Sequence, residues 1–153
     1  MPKLSAGLLP YRRRDGAIEV FLVHPGGPFW AKKDDGAWTI AKGEPEPGEE
    51  PLDTARREFR EETGLDLAGP FRPLAVIRQA GGKTVQAWAV AAEIDAAAIH
   101  SNEFTLEWPP RSGRRRSFPE IDRAQWFAIE AARTKINRAQ AAFLDELIGI
   151  LGA

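Results

Sequence analysis

Three glutamates within one short segment have types and spacing that suit metal chemistry. Glu58, Glu61 and Glu62 stand at positions i, i+3 and i+4, so a helix would project all three carboxylates from one side. Like charges at this spacing destabilise an isolated helix by about 0.2–0.5 kcal/mol per pair, and a divalent cation is the direct candidate for compensation. A solvated face of mixed charge is the alternative, because the segment reads RREFREE.

The elements that would position these carboxylates can be predicted from the flanking sequence. Glu50 or a neighbour would cap a helix, Pro51 suits its first position, and Gly64 would end it. The apolar residues within these limits recur at helical spacing and predict one buried face: Leu52, Ala55 and Phe59.

The rest of the chain alternates predicted strands with turns. The predicted strands are residues 5–11, 18–24, 37–40, 71–79, 83–92 and 125–129. The other predicted segments are loops at 25–30, 42–48 and 101–119, a helical turn at 95–100, and a C-terminal helix at 138–151. This order predicts an α/β fold with a mixed sheet, in a single domain over residues 1–153.

Composition excludes several classes of function. The 153 residues are 43% hydrophobic and 28% charged, which is typical of one globular domain. The net charge of -1 argues against a protein that coats nucleic acid or an anionic membrane. With no cysteine and two histidines, oxygen ligands and therefore Mg²⁺, Mn²⁺ or Ca²⁺ are expected. We see no signal-like segment or membrane span, so we expect a cytoplasmic protein.

The segment from residue 43 to 65, GEPEPGEEPLDTARREFREETGL, resembles the Nudix box. That motif is G-x5-E-x7-R-E-U-x-E-E-x-G-U, where U is a bulky apolar residue. The matching residues are Gly43, Glu49, Arg57, Glu58, Phe59, Glu61, Glu62, Gly64 and Leu65. The resemblance implies a Nudix α/β/α sandwich and an enzyme that hydrolyses a nucleoside diphosphate linked to another group.

The resemblance also implies roles for residues of the box. Glu58, Glu61 and Glu62 look like ligands of Mg²⁺ or Mn²⁺, with the Gly43 carbonyl joining them. Glu49 and Arg57 look like a supporting pair that fixes the loop on the helix, and Gly64 like the helix stop. These last three positions would support the metal site and not bind the ion.

The residue that accepts the proton from the attacking water is left open by the resemblance. Glu61 and Glu58 are candidates within the box. Glu120 is another, because it lies six residues before Trp126, a spacing that similar enzymes use for a second acid. A surface position is the alternative for Glu120, and two further acids compete with it: Glu103 and Glu107.

The residues before the box give the lead on substrate. Trp38 to Gly43 reads WTIAKG and resembles the W-x-x-P-K-G of dinucleoside polyphosphate and diphosphoinositol hydrolases, with Ala41 in place of proline. Trp38 and Lys42 are therefore substrate-binding candidates. Further phosphate contacts could come from the RSGRRR run, in particular Arg114 and Arg116, for which a solvated loop is the alternative.

The lead substrate is thus a dinucleoside polyphosphate such as diadenosine tetraphosphate. Canonical or oxidised (d)NTPs come second, and ADP-ribose or another nucleotide sugar third. A non-catalytic nucleotide- or RNA-binding Nudix module is the rival from another class, although the box carboxylates are intact. A Nudix-fold isomerase is disfavoured by the lack of cysteine. We expect a small-molecule nucleotide as partner and no nucleic acid or membrane, and the sequence leaves a homodimer open.

Overall fold

The computed structural model describes residues 3–152. The strands are β1 (Leu4–Arg14), β2 (Ala17–Pro25), β3 (Ala41–Gly43), β4 (Arg72–Pro73), β5 (Ile77–Arg78), β6 (Thr84–Ala91), β7 (Glu103–Glu107), β8 (Arg115–Pro119) and β9 (Ile121–Ala128). The α-helices are α1 (Pro51–Thr63), α2 (Ile129–Lys135) and α3 (Ala141–Leu151). Among residues 3–152, no helix has both the length and the apolar character needed to cross a bilayer.

Seven of the strands form one mixed sheet, as the sequence predicts. The main order is β4-β6-β1-β2-β9, with β3 paired to β1 and β5 paired to β6. β1 and β6 run parallel, whereas the other pairs are antiparallel. β1 has three partners, because it pairs with β6 along most of its length, with β3 near its start and with β2 at its end.

Helices cover both faces of this sheet and give an α/β/α sandwich. Side chains alternate along β2, so that Phe21 and Val23 face one side while Val20 and Leu22 face the other. On the first side the buried core includes residues of α1: Ala55 and Phe59. On the second side it includes residues of α2 and α3: Ala132, Phe143, Leu144 and Leu147. The predicted Nudix fold class is confirmed.

β7 and β8 form a separate antiparallel hairpin, so the prediction of an irregular segment at 101–119 is wrong. Phe104 and Leu106 alternate with exposed residues along β7, which is a strand pattern. Pro109, Pro110 and Gly113, which suggested an irregular segment, lie in the connection between the two strands.

Two further strand predictions are only partly right. Residues 37–40 make isolated bridges, with Thr39 against Val23 and Trp38 against Ile136. These bridges go to different elements, so no continuous ladder forms, and the regular strand β3 begins at Ala41. Residues 71–79 contain two short strands, β4 and β5, on either side of an interruption.

The C-terminal part also differs from the prediction. β9 begins four residues before the predicted strand at 125–129 (Ile121 against Gln125), and α2 follows it without a loop. The predicted helix at 138–151 opens with a 3-10 turn at Arg138–Gln140 and becomes α3 at Ala141. The Asn137 side chain caps this turn by accepting a hydrogen bond from the Ala139 amide.

Candidate active site

The two ends of α1 are set by local backbone chemistry. Glu50 is extended (φ -73°, ψ 146°) and Pro51 takes the first helical position, where its missing N–H costs no helical bond. At the other end, Gly64 is left-handed (φ 80°) and its N–H donates to the Arg60 carbonyl at 2.7 Å. The helix therefore stops directly after the carboxylates that it presents.

Glu49 and Arg57 fix the preceding loop to α1. Arg57 Nε donates to Glu49 Oε2 at 2.9 Å and Arg57 Nη2 donates to Glu49 Oε1 at 3.0 Å. The Thr54 hydroxyl (2.7 Å) and the Glu46 amide (3.0 Å) also donate to Glu49. These donors, Arg57 above all, lower the pKa of Glu49 to about 2.

Arg57 also reaches the carboxylates on the other side of its guanidinium. Arg57 Nη1 donates to Glu58 Oε1 and to Glu61 Oε2, each at 2.9 Å. These anionic acceptors, Glu49 first, raise the pKa of Arg57. One arginine thus offsets part of the repulsion expected among the glutamates, and links the loop support to the acidic face.

Glu58, Glu62 and Glu120 form a cluster in which one carboxylate oxygen from each residue lies within 4.8 Å of the others. Glu62 is only 6% exposed. Burial, followed by the nearby charge of Glu58, raises the pKa of Glu62 to about 9. Burial is also the main cause that raises the pKa values of Glu58 and Glu120. A divalent cation would balance the charge of three carboxylates that lie this close together.

Glu120 reaches the cluster because a glycine loop holds its backbone. It lies between β8 and β9, and its carbonyl accepts a hydrogen bond from the Gly26 amide at 2.8 Å. Its own amide donates to the Asn102 carbonyl at 2.8 Å. A side chain at Gly26 would collide with the Pro119 carbonyl, so this close approach requires glycine.

Gly43 and Lys42 complete the surroundings of the cluster. The carboxyl group of Glu58 occupies the space that a Cβ atom at Gly43 would need. Lys42 is half-buried; burial lowers its pKa, while Glu62 and Glu58 oppose that shift. The donor set is oxygen alone and is anionic, which fits hard divalent ions such as Mg²⁺ and Mn²⁺.

Other residues singled out in the sequence lie outside this cluster. Glu61 stands next to it, with its side chain 37% exposed and bonded to Arg57. Glu103 and Glu107 are exposed on β7, and Glu107 accepts a hydrogen bond from the Arg111 amide at 3.1 Å. Arg114 and Arg116 are exposed on the hairpin.

Trp38 lies in the core on the side of α2 and α3, not beside the carboxylates. It is 3% exposed, and its ring meets Phe127 edge-on with centroids 4.9 Å apart. Its Nε1 donates to Asp34 at 2.8 Å. The geometry therefore gives Trp38 a packing role that positions the segment leading to Lys42.

A cavity of about 210 Å³ opens beside Lys42. Its wall includes Trp30, a candidate for base stacking from the sequence, and four residues that no motif singles out: Thr39, Gln79, Asn137 and Gln140. These four come from three separate segments, so spacing along the chain carried no signal. A network holds the wall in place, since Gln140 Nε2 donates to Thr39 at 2.8 Å and to Gln79 at 2.9 Å.

His24 links the segment around Gly26 to neighbouring parts of the chain. The side chain is fully buried, and its Nδ1 lies 2.8 Å from Asp122 Oδ1. Its Nε2 lies 2.7 Å from the Lys33 carbonyl. His24 thus connects β2, β9 and the loop after β2, and does not reach the carboxylate cluster as a ligand.

The fold and the site match a known family. The model of the NUDIX domain matches residues 1–147, which is nearly the whole chain. The chain therefore belongs to the Nudix family. It is an enzyme of the pyrophosphohydrolase class.

Solved structures show the same fold at low sequence identity. An Ap4A hydrolase of C. elegans in a binary complex superposes with a TM-score of 0.67 at 21% identity, covering 97% of this chain and 98% of that one. The NUDIX domain of Shewanella oneidensis NrtR, complexed with ADP ribose, gives 0.69 at 13% identity, covering 99% and 89%. The solution structure of the E. coli ORF135 protein gives 0.58 at 19%, covering 97% and 91%.

Proposed function

We propose that this protein is a Mg²⁺- or Mn²⁺-dependent pyrophosphohydrolase that cleaves a nucleoside diphosphate linked to another group. The cluster of Glu58, Glu62 and Glu120 carries the proposal, because its oxygens converge within 4.8 Å, with Glu62 buried and the other two half-buried. The raised pKa values of these carboxyls indicate unbalanced negative charge. A divalent cation would balance that charge.

The roles of the residues follow from their contacts. A bound Mg²⁺ or Mn²⁺ would activate the attacking water and neutralise charge on the bridging phosphates. Glu58, Glu62 and Glu120 would supply the ligand oxygens, and the backbone of Gly43 lies against the Glu58 carboxyl group. Arg57 orients Glu58 through its 2.9 Å bond.

Glu61 accepts the proton of the attacking water in this proposal. It lies outside the group of three carboxylates and is partly exposed, so it is free for proton transfer. It is close enough to Glu120 to raise the pKa of that group, and Arg57 fixes its orientation. Both observations support a place at the edge of the metal site.

The lead substrate is a dinucleoside polyphosphate such as diadenosine tetraphosphate. Lys42 supports a polyphosphate, since it lies beside the carboxylates and at the wall of the cavity. The cavity has amide and hydroxyl groups for a nucleobase, and Trp30 for stacking. Canonical or oxidised (d)NTPs and ADP-ribose are the next candidates, and all share the nucleoside diphosphate that this site would bind.

A panel of substrates tests the proposal. Phosphate or nucleotide release is measured with Mg²⁺ and with Mn²⁺ at alkaline pH, on diadenosine tetraphosphate, dNTPs, 8-oxo-dGTP, ADP-ribose and a diphosphoinositol phosphate. We expect metal-dependent turnover of diadenosine tetraphosphate with the highest kcat/KM, and its loss in Glu62→Gln. A folded protein that binds metal but turns over nothing on the panel would favour the non-catalytic binding module instead.

A further inference from the structure

The loop after β2 exposes two neighbouring aromatic side chains. Phe29 is 60% exposed and Trp30 is 39% exposed, and large apolar side chains with such exposure are few among residues 3–152. The two rings have different surroundings. Trp30 lines the cavity beside Lys42, whereas Phe29 meets Trp108 edge-on with ring centroids 5.4 Å apart. The loop therefore joins the cavity to the β7–β8 hairpin.

The hairpin continues this aromatic surface. Cross-strand pairing sets Phe104 opposite Phe118, with ring centroids 5.9 Å apart. The Arg116 guanidinium lies 5.4 Å from the centre of the Phe118 ring. The Phe104 ring also lies against Gly27, so the hairpin rests on the glycine loop that holds Glu120.

The hairpin also carries a group of exposed arginines, one of which, Arg115, lies opposite Glu107 across the strands. Arg111, Arg114, Arg115 and Arg116 are all exposed, and among residues 3–152 none of them makes an ion pair. By contrast, the chain as a whole has a net charge of -1. Exposed guanidinium groups beside aromatic rings suit phosphates and nucleobases respectively.

The position of the hairpin relates this surface to the metal site. β8 ends at Pro119, and the next residue is the cluster member Glu120. Glu120, at the foot of the hairpin, has a carboxylate oxygen within 4.8 Å of one from Glu62. Lys42 lines the cavity and is followed by Gly43, whose backbone lies against the Glu58 carboxyl group. A phosphate chain bound at the cluster would therefore have the cavity next to it on the Lys42 side and the hairpin next to it on the Glu120 side.

We propose that Phe29, Trp108 and the arginines of the hairpin form a second nucleotide subsite, which binds the nucleoside and adjoining phosphate at the far end of a dinucleoside polyphosphate. The inference rests on the proposed function and deepens it. The aromatic pair stacks the second base, while Arg114 and Arg115 contact the phosphate next to it. The subsite gives a role to four exposed arginines that make no ion pair within residues 3–152, on the hairpin that leads to Glu120.

The test compares two substrates with the same number of phosphates. Diadenosine tetraphosphate carries a nucleoside at each end, whereas adenosine 5′-tetraphosphate carries one. KM and kcat are measured for both with the wild-type protein, Phe29→Ala and Arg114→Ala/Arg115→Ala. Val76→Ala and Arg72→Ala are matched controls, since Val76 is 54% exposed and Arg72 is an exposed arginine on β4.

We expect Phe29→Ala to raise the ratio of KM for diadenosine tetraphosphate to KM for adenosine 5′-tetraphosphate about tenfold, as loss of one base-stacking contact predicts. The double arginine variant should raise KM for the dinucleotide by a similar factor. An unchanged ratio in both variants, with wild-type turnover of both compounds, would overturn the second subsite and leave the proposed function standing. No metal-dependent turnover of either compound by the wild type would instead reject the proposed substrate class, and the subsite with it.

Discussion

Glu49, just before α1, and Glu62, in the last turn of α1, are the same residue type, yet their pKa values shift in opposite directions. Arg57, the Thr54 hydroxyl and the Glu46 amide donate to Glu49 and hold its pKa at about 2. Glu62 is buried against Glu58, and its pKa is raised to about 9. Both oxygens of the Glu49 carboxylate accept hydrogen bonds, whereas the Glu62 carboxyl is buried beside another acid.

The difference separates structural support from the reactive centre. Glu49 needs nothing further, because its charge is already balanced within the loop and the helix. The oxygens of Glu58, Glu62 and Glu120 converge with few hydrogen-bond donors, so the metal ion of the proposed function would stabilise the ionised form of this cluster. Predictions follow from treating the two groups as chemically different.

The largest expected effect is on catalysis at Glu62. Replacing the carboxylate in Glu62→Gln should lower kcat about 10³-fold, because a ligand charge at the metal is lost. Circular dichroism should show an unchanged fold, since glutamine fills the same space. Steady-state kinetics with Mg²⁺ checks the prediction, and a variant with activity within tenfold of wild type would contradict the role of Glu62.

The arginines also differ in whether a carboxylate is bonded to them. Arg57 is bonded to three carboxylates, whereas the exposed hairpin arginines have no carboxylate bonded to them in the described part of the chain. Replacing Arg114, Arg115 and Arg116 together with Ala should therefore raise KM for polyphosphate substrates about tenfold, with a smaller effect on kcat. Kinetics at low salt measure this split, and an unchanged KM would return these residues to a solvated surface.

Glu49 should matter for stability more than for chemistry. Glu49→Gln removes the anion that Arg57 grips with two nitrogens, so the loop at 44–49 should detach more readily from α1. We expect a fall of a few degrees in Tm, with metal affinity largely retained. A calorimetric Tm equal to that of wild type would show that the pair does not hold the loop.

The smallest expected effect is the pH dependence of Tm without metal. The pKa of Glu62 is 4.5 in the unfolded chain and about 9 in the folded protein. Between these two pH values the folded protein therefore holds a proton on Glu62 that the unfolded chain has lost. The stability that this bound proton contributes is lost as pH rises from 4.5 to about 9. We predict that Tm in EDTA falls as pH is raised from about 6 to about 9, and that Glu62→Gln reduces this fall. Glu49 acts in the opposite sense, because its contribution is lost as pH falls from 4.5 toward about 2.

The sequence allowed the fold class and the box to be predicted because both depend on local patterns. The i, i+3, i+4 spacing of the glutamates requires only a helix, and Pro51 and Gly64 define its ends. The continuous apolar run from Val20 to Val23 in β2 likewise indicates a strand that is buried on both faces. These features need no knowledge of distant contacts.

The parts that could not be predicted depend on contacts between distant segments. The amide-lined wall of the cavity brings Gln79 and Gln140 within 2.9 Å of each other, and no spacing encodes that contact. The motif before the box makes Trp38 a substrate-binding candidate, yet tertiary packing buries its ring against Phe127. The prolines and arginines of residues 101–119 favour an irregular segment, although the alternation of Phe104 and Leu106 with polar residues does indicate a strand.

Direct measurement of Mn²⁺ binding tests the central claim, that the cluster of Glu58, Glu62 and Glu120 is the metal centre. Isothermal titration at alkaline pH would compare wild type, Glu62→Gln and Glu49→Gln. We predict that Glu62→Gln weakens Mn²⁺ binding at least about tenfold, as expected for a lost ligand charge, while Glu49→Gln binds within a few-fold of wild type. Equal affinity in wild type and Glu62→Gln would contradict the account, because the metal would then be bound elsewhere.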